Sequence, residues 1–170
     1  GFRGKANVDL TIDHAVKIGR FLGWYYGKNH ADGRARIIIG KDTRRSSYTL
    51  EYALACGITS SGSDAYLLHV TTTPSVAYIS RVDSFDCGIM ISASHNPYYD
   101  NGIKIMRANG QKIEPEIEAK IEEYIDGQID ELPLATGEEM GNVIDYAAGR
   151  NRYIGYLISL AKKNLQKFLK

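Results

Sequence analysis

The sequence predicts an α/β fold with a mixed, mostly parallel sheet and helices on both faces. Short β-branched runs alternate with segments whose apolar residues recur every three or four positions, which is typical of strands joined by helices. A later pair of strand-like runs is separated only by a polar loop. Because that loop is too short for a crossover helix, the pair is expected to be antiparallel, which makes the sheet mixed.

Length and composition are those of one globular domain. The chain has 170 residues, of which 44% are hydrophobic, and 21 Lys and Arg residues stand against 20 Asp and Glu residues. This balance argues against a disordered or fibrous chain. The net charge of +1 removes the electrostatic argument for a nucleic acid or an anionic membrane as partner, so any anion recognition has to be local.

The cysteines and the start of the chain bear on where the protein works. Cys56 and Cys87 are interpreted as buried thiols, because they are too few for a disulfide framework and lie in no metal-binding pattern. We therefore expect a reducing compartment, the cytoplasm. No apolar run approaches the roughly 20 residues that span a bilayer. The chain begins at Gly1 with neither an initiating Met nor a signal segment, and we expect further sequence upstream and downstream.

The first part of the chain predicts a helix followed by a βαβ unit. Apolar spacing predicts the helix over residues 11–28, behind Thr11 as N-cap. Residues 36–40 predict a strand buried on both faces, residues 47–60 a second helix and residues 65–70 a second strand. Because such crossovers are right-handed, the two strands are expected to be parallel.

The middle of the chain predicts a third helix and a hairpin. Thr73 is expected to be the helix N-cap and Pro74 its first residue, since the missing N–H of proline costs nothing there. Residues 87–92 predict a third strand. Residues 102–106 predict its antiparallel neighbour, after a loop with Asn-Pro and Asn-Gly turn signals.

The last part predicts two more helices around an irregular stretch. Pro115 is expected to begin a helix that ends near Gly127. Residues 128–146 are irregular, with a candidate short strand at residues 142–145. Apolar spacing predicts an amphipathic helix over residues 152–170, which either packs on its own sheet or bridges to a further domain.

The segment with most chemical content is ISASHNPYYDNGIK, residues 91–104, which leaves the third predicted strand. Ligands of α/β sheets bind outside the carboxyl ends of the parallel strands. Ser94 offers an oxygen nucleophile there, with His95 beside it. Asn96 offers an amide donor, and the hairpin brings Lys104 back toward the loop. These groups suit phosphoryl transfer, although Ser, Asn and Pro are also common turn formers.

Residues 91–104 resemble the phosphoserine loop of the α-D-phosphohexomutase superfamily. Other stretches resemble motifs of that family in the same order, and together they span nearly the whole chain: GFRGK at the start, IGKDTR at residues 39–44 and TPSVAY at residues 73–78. The resemblance implies a four-domain enzyme whose first domain is a three-layer α/β/α sandwich. Residues 1–149 would form that domain, and residues 150–170 a helix that leads toward a second domain.

The resemblance also implies a reaction and roles for individual residues. Members of the family interconvert the 1-phosphate and 6-phosphate of a hexose through a bisphosphorylated sugar. Ser94 matches the phosphoserine, whose phosphate binds Mg²⁺. Lys104 and His95 match positions that assist proton transfer at the sugar hydroxyl, and Arg3 matches an arginine that contacts the phosphoserine region. Asn96 is expected to bind the phosphate or the substrate.

Arg44 and Lys41 follow the first predicted strand and have two interpretations. They can give the cleft positive charge, which makes Arg44 a candidate phosphate-binding residue, or they can form a salt-bridged loop. Nearby, Arg45-Ser46-Ser47 stands where family members commonly have an apolar residue, Ser and Gly, so we expect the backbone of this loop to differ from theirs.

The resemblance places the other Mg²⁺ ligands in an acidic DGDxD loop of the second domain, and no such string occurs in the sequence. We therefore predict that this chain carries the phosphodonor but cannot complete a catalytic cycle by itself. Its expected partners are a phosphosugar and the remaining domains of the same enzyme, with no nucleic acid and no membrane. The expected cofactors are Mg²⁺ and a hexose 1,6-bisphosphate that serves as activator and intermediate.

Three alternatives stay open on the sequence: another sugar preference within the family, a non-catalytic binding or assembly module of the same fold, and a Ser–His hydrolase. The hydrolase is disfavoured, because no acid is placed to orient His95 and no nucleophile-elbow glycine pattern flanks Ser94.

Overall fold

A computed structural model describes residues 1–168, so residues 169 and 170 of the predicted final helix lie outside it. The described chain forms one six-stranded sheet in the order β1-β5-β4-β2-β3-β6. The strands are β1 (Phe2–Lys5), β2 (Arg36–Lys41), β3 (Asp64–Val70), β4 (Cys87–Ile91), β5 (Asp100–Arg107) and β6 (Val143–Asp145). The helices are α1 (Ile12–Gly27), α2 (Arg45–Ser60), α3 (Thr73–Val82), α4 (Pro115–Ile125) and α5 (Ala147–Phe168), with a 3-10 turn at Gly137–Glu139.

The pairing of the strands confirms the predicted mixed sheet. Strand β2 is parallel to both β3 and β4, and β6 is parallel to β3. Strand β5 returns antiparallel to β4, as the short loop between them required. The sequence analysis missed β1, an edge strand that pairs antiparallel with β5 and places Arg3 opposite Gly102.

The helices cover both faces, which gives the three-layer sandwich. Ile37 and Ile39 of β2 face a core cluster formed with α1, α2 and α4. Ile38 faces the opposite cluster, formed with α3 and joined by Tyr146 and by Tyr153 of α5. A strand buried on both sides has this continuous apolar sequence because alternate side chains enter different cores.

Several boundaries and burial states differ from the sequence predictions. Helix α2 begins two residues earlier than predicted, and the N-cap of α3 is Thr72 rather than Thr73. Helix α5 begins at Ala147, whose amide donates to Asp145 Oδ1 at 3.2 Å. Cys87 is buried as expected, but the prediction for Cys56 was wrong, because this side chain lies on the exposed side of α2.

Among the side chains that the structure describes in helix α5, those that pack on α3 are Tyr153 and Tyr156 near its start. Tyr153 lies against the core cluster of α3, whereas Ile154, Leu157 and Ile158 further along are exposed. Packing on the domain is thus observed near the start of the helix, and the bridge to a further domain stays a prediction. None of the helices in the described residues is long and apolar enough to cross a membrane.

Candidate functional site at the carboxyl edge of the sheet

The candidate site lies where the chain leaves β2 and β4. These strands are parallel neighbours, so the loops that follow them meet at one edge of the sheet. The Asp42 amide donates to the carbonyl of Ile91 at 3.0 Å and ties the two loops together. The chain continues from β2 into α2 on one face and returns to β4 from α3 on the other. Such a reversal opens a crevice at the carboxyl ends of the strands.

Ser94 is exposed at this edge and has a strained backbone. Its φ is +57°, in the left-handed region that residues other than Gly, Asn and Asp seldom adopt. The Ser94 amide donates to Ser92 Oγ at 3.0 Å, and the Asn96 amide donates to the Ala93 carbonyl at 3.1 Å. These bonds hold a tight turn that directs the Ser94 side chain away from the core. Strain of this kind is concentrated at functional sites.

Two other predicted site residues lie on the same loop. His95 is exposed and makes no hydrogen bond with the described part of the chain. The Asn96 side chain donates to Asp100 Oδ2 at 3.1 Å, so one of its amide hydrogens is used within the loop. This segment therefore forms a turn, as its residue types suggest, and the same turn leaves the Ser94 hydroxyl exposed.

The Arg44 side chain binds the backbone of the Ser94 loop. Its Nη2 donates to the carbonyls of Ser94 and Asn96, both at 2.9 Å. Its Nη1 donates to the carbonyls of Asp100, at 3.1 Å, and of Pro97. The remaining donor, Nε, bonds the Asp42 carboxylate at 2.9 Å. Of the two interpretations of Arg44, the described contacts correspond to the salt-bridged loop.

Asp42 is the acidic anchor of this arrangement. Its carboxylate accepts the Ser47 hydroxyl at 2.6 Å, the Arg44 amide at 3.1 Å and the Arg44 guanidinium. Burial acts to raise the pKa of Asp42, but these hydrogen bonds outweigh it and leave the pKa below its usual value. The carboxylate is therefore charged at neutral pH. The side chain of Asn101 extends the network by donating to Ser46 and Ser47 Oγ at 2.8 and 3.0 Å.

Lys41 does not contribute to the crevice. It is buried and paired with Glu51, which is fully buried, and Glu51 also lies 3.3 Å from His69 Nδ1. Sequence reasoning missed this buried pair. The available signal was a charged residue, Glu51, on the apolar face of the second predicted helix.

Two cavities open beside Ser92. One, of about 590 Å³, is lined by Ser94, Asn96, Tyr98, Ser92 and residues 42–45. The other, of about 580 Å³, lies over β1 and β5 near the start of α3 and includes Arg3, Lys104 and Ser92 in its lining. The predicted residues thus divide between neighbouring cavities, with the serine in one and the two cations in the other.

The sheet register explains why the cations of the second cavity share a face. Arg3 of β1 is paired with Gly102 of β5. Lys104 lies two residues after Gly102 on β5 and is paired with Met90 of β4. Because side chains two apart on a strand point the same way, Arg3 and Lys104 lie on the α3 side of the sheet. Gly102 between them leaves room that a side chain would fill, since a Cβ there would lie 3.0 Å from the Ser92 carbonyl oxygen.

Among the described residues, no group of three or more His, Cys, Asp or Glu side chains is arranged to hold a metal ion. Mg²⁺ prefers phosphate and carboxylate oxygens. Asp42 is the carboxylate that lines the cavity with Ser94, and its oxygens already accept from Ser47 and Arg44. The residues present therefore suit Mg²⁺ only through a phosphate carried on Ser94.

Fold and site together define a class of protein: an α/β/α domain that presents an exposed serine at the carboxyl edge of its sheet, with an arginine and a lysine in the neighbouring cavity. Residues 1–131 match the family described as "Phosphoglucomutase/phosphomannomutase, alpha/beta/alpha domain I". The chain belongs to this family.

The chain is similar to proteins named phosphoglucosamine mutase. It is 67% identical to one from Lachnospira eligens over 161 residues, 95% of this chain and 36% of the relative. It is 61% identical to one from Lachnoclostridium phytofermentans over 166 residues, 98% of this chain and 36% of the relative. The chain thus spans about 36% of the length of these relatives.

A solved structure shows the same fold. It is a phosphoglucomutase/phosphomannomutase family protein from Burkholderia thailandensis, with a TM-score of 0.70 and 24% identity. The match covers 89% of this chain and 32% of that one.

Proposed function

We propose that the chain is the first domain of a phosphoglucosamine mutase, which interconverts glucosamine 6-phosphate and glucosamine 1-phosphate. The observation that carries this proposal is the exposed, strained Ser94 at the carboxyl edge of the sheet. It is supported by membership of the family and by the identity to the two relatives of that name. Residues 1–149 would form the domain and residues 150–170 the connection to the rest of the enzyme.

In the proposed reaction, Ser94 alternates between a hydroxyl and a phosphate ester. The Ser94 O–P bond breaks as a sugar hydroxyl oxygen bonds to phosphorus, which gives a sugar bisphosphate. The second phosphate then returns to Ser94 from the other sugar oxygen. Each transfer requires removal of the proton of the attacking hydroxyl, and Lys104 and His95 are the proposed carriers of that proton.

The phosphate on Ser94 brings about −1.5 to −2 charges to the loop at neutral pH, which cations must offset. Arg3 and Lys104 supply two positive charges on the sheet face next to Ser92. Asn96 retains donor capacity for a phosphate oxygen. When bound, Mg²⁺ supplies charge neutralisation for the transferred group. We propose that Ser94 holds it through the phosphate, and that carboxylates outside this chain complete its coordination.

The proposal predicts that Ser94 is indispensable for turnover. The test uses a chimera of the Lachnospira eligens relative, in which the 161 residues that match are replaced by the corresponding residues of this chain. We expect the chimera to form glucosamine 1-phosphate when supplied with Mg²⁺ and glucosamine 1,6-bisphosphate. The Ser94→Ala variant should lose more than about 1,000-fold in kcat, because the phosphoryl acceptor is gone. The isolated chain should not turn over substrate.

Ser84 provides the matched control. It is exposed and has a φ of +54°, but it precedes β4, whereas Ser94 follows that strand. Ser84→Ala should keep the activity of the chimera. A chimera that folds but is inactive would favour a non-catalytic module of the same fold. Preference for glucose or mannose phosphates over glucosamine phosphates would favour a phosphoglucomutase or phosphomannomutase instead.

A further inference from the structure

The guanidinium of Arg44 has all its donors engaged. An arginine side chain carries five N–H donors in a fixed planar fork. Four of them point at the carbonyls of Ser94, Asn96, Pro97 and Asp100, and the fifth points at the Asp42 carboxylate. No donor is left for a phosphate oxygen. The side chain therefore acts on the loop itself rather than on a ligand.

These bonds fix the direction of peptide dipoles around Ser94. The described chain has no cis peptide bonds, so the N–H of each peptide points opposite to its C=O. With the Ser94 and Pro97 carbonyls drawn toward Arg44, the amides of His95 and Tyr98 face away from the guanidinium. Neither amide bonds another group in the described residues. Free amides favour an anion, whereas outward carbonyls would repel it.

We propose that Arg44 is a positioning residue that holds the Ser94 loop in the conformation competent for phosphoryl transfer. It draws carbonyl oxygens away from the reacting phosphate and offsets the strain of the left-handed Ser94 backbone. This inference rests on the proposed function of Ser94. It differs from a phosphate-binding role, because Arg44 acts through the loop and touches neither substrate nor phosphate.

Arg44→Lys is the sharpest variant. Lysine keeps the charge, but its single ammonium has three donors and cannot serve five acceptors arranged around a fork. In the active chimera we expect kcat to fall about 100-fold, the loss typical of a misplaced reacting group. The KM for glucosamine 6-phosphate should change less than about threefold, because the sugar phosphate does not contact this residue.

Chemical rescue separates positioning from a general structural role. Millimolar guanidinium should raise the kcat of Arg44→Ala at least about tenfold, because it can bind in the space left by the arginine side chain and donate to the same carbonyls. Hydrogen exchange should accelerate in the peptide covering residues 93–101 and stay unchanged in α1 and α4. Arg81→Ala is the control, because Arg81 is an exposed arginine on α3 away from the loop, and guanidinium should not raise its activity.

Three results would overturn the inference: parental kcat in Arg44→Lys, a rise in KM with kcat unchanged, or exchange that accelerates throughout the domain without rescue. Each is distinct from failure of the proposed function. If Ser94→Ala retains parental activity, the role of Ser94 is rejected. If only the Arg44 variants behave like the parent, the mutase assignment stands and the positioning role is rejected.

Discussion

At the scale of single residues, the site is defined by the backbone of Ser94. The left-handed conformation turns its hydroxyl outward, and this conformation lowers the stability of the fold for residues other than glycine. We predict that the free energy of unfolding of Ser94→Gly is about 1–2 kcal/mol higher than that of Ser94→Val, since valine is poorly tolerated at positive φ. The measurement is urea denaturation of both variants.

A helical serine gives the reference for that prediction. Ser159 is exposed in α5, where the backbone is right-handed. At this position the order should reverse, with Gly less stable than Val by a few tenths of a kcal/mol, about the difference in helix propensity. Valine more stable than glycine at Ser94, the order expected at Ser159, would show that the Ser94 backbone is not left-handed in solution.

At the scale of elements, the site depends on how closely α1 and α2 approach. Gly57 of α2 lies against the backbone of α1, and a Cβ there would overlap the Val16 carbonyl oxygen and the Arg20 amide nitrogen. Because backbone atoms cannot move aside, the helices would have to separate. The start of α2 carries Ser46 and Ser47, which bond Asn101 of β5. Packing of the helix pair is thus connected to the loops of the site.

We predict that Gly57→Ala lowers the free energy of unfolding by about 1–3 kcal/mol, the usual cost of overpacking, although alanine is the better helix former. Gly155→Ala is the control, because a Cβ on this residue of α5 meets no atom within 4 Å. It should raise stability by about 0.5–1 kcal/mol through helix propensity. Thermal and urea unfolding measure both. Equal effects of the two substitutions would contradict the close helix contact.

At the scale of the whole molecule, the features predicted from sequence are those that local pattern determines. Residues 36–40 predicted a strand buried on both faces, and the structure confirms it: Ile37 and Ile39 enter one core and Ile38 enters the other. The position of Ser94 followed from the rule that ligands bind at the carboxyl ends of parallel strands.

The features that sequence analysis missed depend on distant partners. Strand β1 is ordered by pairing with β5, about 100 residues away in the chain, and its own sequence has no strand pattern. The contacts of Arg44 join it to carbonyls 50 or more residues further on. Backbone acceptors leave no mark in the sequence, so no residue pattern distinguishes a loop-binding arginine from a phosphate-binding one.

The most direct measurement is tandem mass spectrometry of the chimera after exposure to glucosamine 1,6-bisphosphate and Mg²⁺. We predict one added phosphate, located on Ser94. Ser92, Ser46 and Ser47 are the nearby hydroxyls that provide an internal comparison, and each should remain unmodified. A phosphate found on one of these instead, or no phosphate in a chimera that folds, would contradict the assignment of Ser94 as the group that carries the phosphoryl group.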